Sequence, residues 1–240
     1  MRGIILAGGK GTRLGDLTKV TNKHLLPVGP HPMVYHPLKK LVGAGVRDIL
    51  LVSGTEHMGD FVELLGSGRA HECNQTYRVQ DEAGGIAQAL GLAELYCRDV
   101  RSLVILGDNI FLDPLAPLLA EANAAPECAW VALKQVHDPQ RYGVAELRGD
   151  QIVGIEEKPK KPKSDYAVAG IYLYPPDVFG FIKTLKPSAR GELEITDVNR
   201  HYLELGRLSF RELKGYWTDA GTLESLATAN QLVHAEAPRW

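Results

Sequence analysis

The chain has 240 residues, 45% hydrophobic and 23% charged, and its 27 Lys+Arg against 29 Asp+Glu leave a formal net charge of −2. That length suits one large α/β domain with a sizeable core, and so even a balance gives no electrostatic footprint for nucleic acid or an anionic membrane. Cys73, Cys97 and Cys128 lack zinc or disulfide-framework spacing, no apolar run reaches membrane-spanning length, and the N-terminus has no signal-peptide layout, so a cytoplasmic protein is expected.

A first strand is predicted over residues 2–7, and it runs directly into Gly8-Gly9-Lys10-Gly11-Thr12-Arg13-Leu14. A buried strand entering a glycine-rich loop delivers backbone N–H groups to an anion, and glycine lets the backbone approach phosphate closely. The loop is not a Walker A, which needs Gly-x-x-x-x-Gly-Lys-Ser/Thr, nor a dinucleotide fingerprint, which needs a glycine where Leu14 stands. Arg13, and Lys23 in Lys23-His24-Leu25-Leu26-Pro27, supply charge suited to a triphosphate. Strands near 47–53, 76–79 and 102–107 then alternate with helices near 33–44, 57–65, 85–95 and 114–123. Such alternation implies right-handed βαβ units and a mostly parallel sheet, with ligands at the carboxyl ends of the strands. The Gly8 loop and Asp108 both fall at predicted strand ends, so they can face one crevice.

The second half is more mixed. Strands near 128–136, 143–147, 151–156, 166–174 and 207–213 have hairpin-type connections and suit an added sheet on the same domain. Helices are expected near 176–184, 194–205 and 222–235, and Lys158-Pro159-Lys160-Lys161-Pro162-Lys163 reads as a loop. No repeat, low-complexity tract or domain linker stands out.

Several residue types invite chemistry, and each also has an ordinary role. Asp108 ends Val104-Ile105-Leu106-Gly107, where a carboxylate serves equally as a magnesium ligand or as an Asx turn. Asp219, in Gly215-Tyr216-Trp217-Thr218-Asp219-Ala220-Gly221-Thr222, is likewise a ligand or a cap. Gln80 offers an amide that matches the N3–H donor and O4 acceptor of thymine or uracil and mismatches cytosine, but it also suits an ordinary surface position. Arg13, Lys23, Lys158 and Arg190 are cations of a type more often solvated.

Taken together, Leu6-Ala7-Gly8-Gly9-x-Gly11-Thr12-Arg13-Leu14 and Lys23-x-Leu25-Leu26-Pro27 resemble the signature of sugar-1-phosphate nucleotidyltransferases. Leu106-Gly107-Asp108-Asn109-Ile110-Phe111, Arg141-Tyr142-Gly143-Val144, Glu156-Glu157-Lys158-Pro159 and Ser188-Ala189-Arg190-Gly191-Glu192-Leu193-Glu194-Ile195-Thr196-Asp197 resemble the glucose-1-phosphate thymidylyltransferase family in particular. The resemblance implies an α/β fold with a Rossmann-like, mostly parallel mixed sheet flanked by helices and a small added sugar-binding sheet, of GT-A-like type. It implies a single domain, with a nucleotide-binding part near 1–125, a sugar-binding part near 126–222 and a C-terminal helix near 222–235.

By the same resemblance, Leu6, Gly8, Gly9, Gly11, Thr12, Arg13, Lys23, Gln80, Gly85 and Asp108 bind the nucleotide. Tyr142, Gly143, Glu157, Lys158, Val168 and Arg190 bind the sugar phosphate, with Glu157 on hydroxyls, Lys158 on phosphate and Arg190 as a phosphate contact or a structural clamp. Asp108 and Asp219 hold Mg²⁺. The implied reaction joins dTTP to glucose-1-phosphate, with Arg13, Lys23, Asp108, Lys158 and Asp219 carrying the catalysis. UTP in place of dTTP, and a non-catalytic sugar-nucleotide sensor on the same fold, stay open as alternatives. Two departures from the family pattern are Asp81-Glu82-Ala83-Gly84-Gly85, where Pro-x-Pro-Asp-Gly is usual, and Ala169, where threonine is common. Longer members carry a helical C-terminal extension that builds a regulatory nucleotide site. A chain without it is expected to lack a full allosteric site and to form a small homo-oligomer.

Overall fold

A computed structural model describes residues 1–9 and 11–240; Lys10, in the glycine loop, lies outside the described residues. The parallel part of the sheet comprises β1 (Arg2–Leu6), β4 (Asp48–Gly54), β5 (Asn74–Gln80) and β6 (Ser102–Leu106). Between these strands run the small hairpin of β2 (Pro27–Val28) and β3 (His31–Pro32), and helices α1 (Tyr35–Gly43), α2 (Met58–Leu65), α3 (Ile86–Gly91) and α4 (Glu94–Cys97). The single helix expected over 85–95 is thus two short ones, broken where Ala93 N–H tightens onto the Leu90 carbonyl.

β6 leads through Gly107-Asp108 into β7 (Asn109–Phe111) and α5 (Ala116–Ala122). The second half adds β8 (Ala129–Gln135), β9 (Gly143–Arg148), β10 (Gln151–Glu157), β11 (Tyr166–Tyr174), α6 (Val178–Ile182), α7 (Ile195–Glu204), β12 (Leu208–Glu212), β13 (Trp217–Asp219) and α8 (Leu223–Ala235). The strand order is β10-β9-β11-β6-β1-β4-β5, with β8 pairing both β11 and β12. β11 runs antiparallel to β6, so the antiparallel region continues the parallel one as a mixed sheet. A separate small sheet pairs β13 with β7. Among the described residues, no helix is long and apolar enough to cross a membrane.

Both faces of the sheet are covered, which explains the continuous apolar runs of its central strands. Alternation sends Ile4, Leu50 and Val104 into one core with α3, α6 and α7, and Ile5, Leu51 and Ile105 into the other with α1, α2 and α5. Leu6 of β1 pairs with Leu106 of β6, and Gly107 N–H donates to the Leu6 carbonyl at 2.9 Å. The Gly8 loop and Asp108 therefore leave adjacent strands at one level, as the strand-end reading requires.

Candidate active site

Beyond β1 the glycine loop is shaped by what presses on it. A Cβ on Gly8 would collide with Oε1 of Gln80, so glycine there lets the amide lie against the loop. Gly11 has φ of 67° and begins a kinked 3-10 turn, Thr12–Thr18. Lys23 starts a second 3-10 turn capped by Asn22, whose Oδ1 accepts from His24 N–H at 3.0 Å. That cap aims Lys23 inward, where Nζ donates to Asp108 Oδ2 at 2.5 Å. Burial opposes ionisation of Asp108, yet the neighbouring Lys23 ammonium and the Asn109 amide hold its carboxyl well below the usual carboxylate range.

Asn109 orders the floor of the site. It is buried; Oδ1 accepts from Trp217 Nε1 at 2.6 Å and from Gly170 N–H at 3.0 Å, and Nδ2 donates to Asp108 Oδ1 at 3.0 Å. In the β7–β13 pair Asn109 faces Asp219, which brings the second acid beside the first. Asp219 Oδ1 accepts from Tyr142 Oη at 3.1 Å and Arg141 Nη2 at 3.3 Å. Burial, with the charge of Asp108 next, raises the Asp219 carboxyl above its ordinary range. A Cβ on Gly221 would stand 3.6 Å from Asp219 Oδ2 and 3.8 Å from Asp108 Oδ2, with Arg13 Nη2 at 3.2 Å. The bare glycine thus leaves a space onto which both carboxylates and one guanidinium converge. Two carboxylate oxygens that disfavour each other's charge fit a hard divalent cation, which takes one or two such ligands plus water and substrate oxygens. Among the described residues no group of three or more His, Cys, Asp and Glu is placed to hold a metal ion by itself.

On the other side, Glu157 ends β10 opposite Gly143 of β9. Its Oε2 accepts from Thr196 Oγ1 at 2.5 Å, and a Cβ on Gly143 would lie 3.1 Å from that hydroxyl. Lys158 follows with φ of 44°, a left-handed conformation unusual outside glycine. Its N–H donates to the Tyr142 carbonyl at 2.9 Å, while its side chain reaches solvent. Arg190 is exposed but lies beside three acids, with Glu194 at 2.8 Å, Glu157 at 3.4 Å and Glu192 at 3.5 Å. It pairs with these carboxylates and also lines the cleft that Tyr142 and Glu157 border.

These groups border two adjoining clefts. One, of about 310 Å³, is lined by Leu6, Gly8, Gly9, Lys23, Gln80 and Gly85, together with Arg13 and Asp108. The other, of about 200 Å³, is lined by Tyr142, Gly143, Glu157, Lys158, Val168, Arg190 and Asp219, again with Arg13 and Asp108. Arg13 and Asp108 are thus a shared wall. Of the residues singled out in the sequence, Gly11 sits behind Lys23 and Thr12 is exposed; neither lines either cleft. Sequence reasoning missed Asn109, Arg141, Thr196 and Trp217. Each lies inside or beside a motif already noted, yet its role is a contact across the fold that spacing does not encode.

Comparisons with known proteins place the chain in a family. Residues 2–236 match the family described as nucleotidyl transferase. The chain belongs to the nucleotidyl transferase family. It is 46% identical over 237 residues to a glucose-1-phosphate thymidylyltransferase of Neisseria meningitidis, covering 97% of this chain and 82% of that one. A protein of that same description from Mycobacterium tuberculosis is 43% identical over 241 residues, with the same coverage. A crystal structure of a Bacillus anthracis protein, provisionally assigned as a glucose-1-phosphate thymidylyltransferase and bound to sucrose, superposes with a TM-score of 0.93 at 58% identity, covering 97% and 94% of the two chains. A UDP-glucose pyrophosphorylase bound to UDP-glucose shares the fold, with a TM-score of 0.86 at 24% identity.

Proposed function

We propose that the protein transfers a thymidylyl group from dTTP to glucose-1-phosphate, giving dTDP-glucose and pyrophosphate. The observation that carries this reading is the pair of clefts with Arg13 and Asp108 between them. Such a layout suits two anionic substrates that must meet at one phosphorus.

In this reading the nucleotide lies against the glycine loop, with its base at Gln80 and Gly85 and its phosphates toward Arg13 and Lys23. The sugar phosphate lies in the second cleft, with Glu157 accepting from hydroxyls and Lys158 facing the phosphate. A phosphate oxygen of the sugar attacks the α-phosphorus in line, and pyrophosphate departs as the P–O bond to it breaks. The residues do no covalent work; they orient the two substrates and offset their repulsion. Asp108 and Asp219 would hold a divalent cation, magnesium in our reading, whose chemistry is to neutralise charge that develops on phosphate oxygens. Tyr142 and Arg141 keep Asp219 turned toward that place, and Asn109 does the same for Asp108. The unpaired thiols Cys73, Cys97 and Cys128 suit a reducing cytoplasm.

Pyrophosphate release, measured with dTTP, UTP, dCTP, ATP and GTP against several sugar-1-phosphates, tests the proposal. Turnover with dTTP and glucose-1-phosphate that stops with EDTA is expected. Strict purine use, or turnover indifferent to chelation, overturns it. UTP belongs in the panel because its base presents to an amide the same edge as thymine.

A further inference from the structure

The amide of Gln80 has two nearly isosteric ends of opposite hydrogen-bonding sense, and which end meets the base decides what the site reads. Gln80 ends β5, is only 7% exposed, and lies against Gly8 at the head of the nucleotide cleft. Its Nε2 donates to Oε1 of Gln88 at 2.6 Å, which leaves its own Oε1 on the side of Gly8. Gln88 lies in α3 and is not among the residues that line the cleft. Its side chain is pressed against the base loop, since a Cβ on Gly84 would stand 2.9 Å from Gln88 Cδ. The start of α3 is itself fixed. Gly85 has φ of 100°, a Cβ there would meet the Leu193 carbonyl at 2.5 Å, and Leu193 exchanges backbone hydrogen bonds with Gly84 and Ala87.

We infer that Gln88 is a positioning residue that sets nucleotide specificity: by accepting from Nε2, it holds the Gln80 amide with its oxygen toward the base. This rests on the reading that a pyrimidine base lies at Gln80. The oxygen accepts from the N3–H of an imide base such as thymine or uracil. Cytosine presents a lone pair at N3, which that oxygen repels. A Gln80 amide turned the other way would donate to cytosine N3 and favour it instead. The discrimination therefore belongs to the pair, and Gln88 supplies it without touching the nucleotide.

The test exchanges the hydrogen-bonding sense of position 88. Gln88→Glu is acceptor-only and keeps the Gln80 oxygen facing the base. Gln88→Met removes the partner at similar volume. Gln88→Lys is donor-only and turns the amide round. Steady-state kcat/KM for dTTP, UTP and dCTP is measured for each, with calorimetric titration of the same nucleotides as a readout independent of turnover. The dTTP-to-dCTP ratio is expected to stay at the wild-type level in the glutamate variant. It should fall about tenfold in the methionine variant and further in the lysine variant. kcat at saturating dTTP should move little. The dTTP-to-UTP ratio should not move, because both bases present the same edge. A merely structural role would lower all nucleotides together and leave the ratios alone. Equal ratios in all variants, or a glutamate variant as unselective as the methionine one, overturn the inference. A wild-type protein that binds neither dTTP nor UTP fails the pyrimidine reading itself. A wild type that prefers dTTP, with variants that keep the preference, fails the assignment of Gln88 alone.

Discussion

Nζ of Lys23 stands 2.5 Å from Oδ2 of Asp108, and the two side chains are only 10% and 14% exposed. In this arrangement the lysine neutralises the carboxylate of Asp108. In the proposed reading, substrate binding would exchange these partners: the ammonium would turn to phosphate and the carboxylate would be free to hold a divalent cation. Lys23→Met removes one member of a largely buried pair and strands the other. We expect a stability loss of about 3 kcal/mol, read from thermal or urea unfolding, and a fall in kcat/KM of about a hundredfold or more. A variant with wild-type kinetics would show that Lys23 only packs the loop.

The two acids give a sharper test of the chemistry. Asp108→Asn and Asp219→Asn keep shape and remove charge. Each is expected to lower kcat by about a hundredfold or more, roughly 2.7 kcal/mol of transition-state stabilisation. Each should also weaken binding of Mn²⁺ followed by electron paramagnetic resonance in the presence of a non-reactive dTTP analogue. Either variant active at limiting magnesium would reduce that acid to a turn former. Full activity after EDTA treatment would remove the cation from the account.

His36 carries a pH dependence remote from the acids. It is 2% exposed, its Nε2 donates to the Val28 carbonyl at 3.0 Å, and its Nδ1 is buried without a partner. The ring is therefore held neutral, and burial pulls its pKa from 6.5 down to about 4. Because the folded value is depressed, the unfolded chain binds the extra proton first as pH falls. The stability contribution is full above about 6.5 and is lost on the way down to about 4, at up to about 1.4 kcal/mol per pH unit. His36→Gln keeps a donor for Val28 and does not titrate. Its unfolding free energy, followed by urea titration from pH 7 to 4, should fall less steeply than that of the wild type. Parallel slopes would place the acid sensitivity elsewhere.

In the proposed reading Lys158 combines a backbone cost with a use. Its φ of 44° costs an ordinary residue about 1–2 kcal/mol, while a glycine there gives back about 0.4–1 kcal/mol through the unfolded chain. Lys158→Gly should therefore melt within a few degrees of the wild type or slightly above it. KM for the sugar phosphate should rise about tenfold, for loss of a charge-assisted contact. A large drop in melting temperature, or an unchanged KM, would contradict a strained functional lysine.

Much of this was legible in the chain itself, and the exceptions have a common cause. The run 4–6 into Gly8-Gly9 marked a strand and its loop, because periodicity and glycine are local signals. Asp108 at the end of an apolar run was legible for the same reason. β7 and β13 were not, since three-residue strands are too short to show alternation. Their pairing nevertheless carries Asp219 to Asp108. Asn109 stood inside a motif with no role of its own; its bonds to Gly170 and Trp217 span 61 and 108 residues of sequence. The expectations for Gly11 and Thr12 came from motif membership. Here a motif residue can shape a loop, as Gly11 does behind Lys23, without lining the cleft.

The level register of β1 with β6 has a consequence for how this sequence can vary. Leu6 and Leu106 are paired neighbours, and the two loops they release face each other within a few residues. A deletion or insertion within either strand would move one loop past the other by about 3.3 Å and turn each later side chain to the opposite face. Both cores and the Lys23–Asp108 pair would be lost at one stroke. Point substitutions are the gentler route of change in these strands, and the sequence has to place its length variation in stretches such as 159–165, between β10 and β11, where no ladder keeps count.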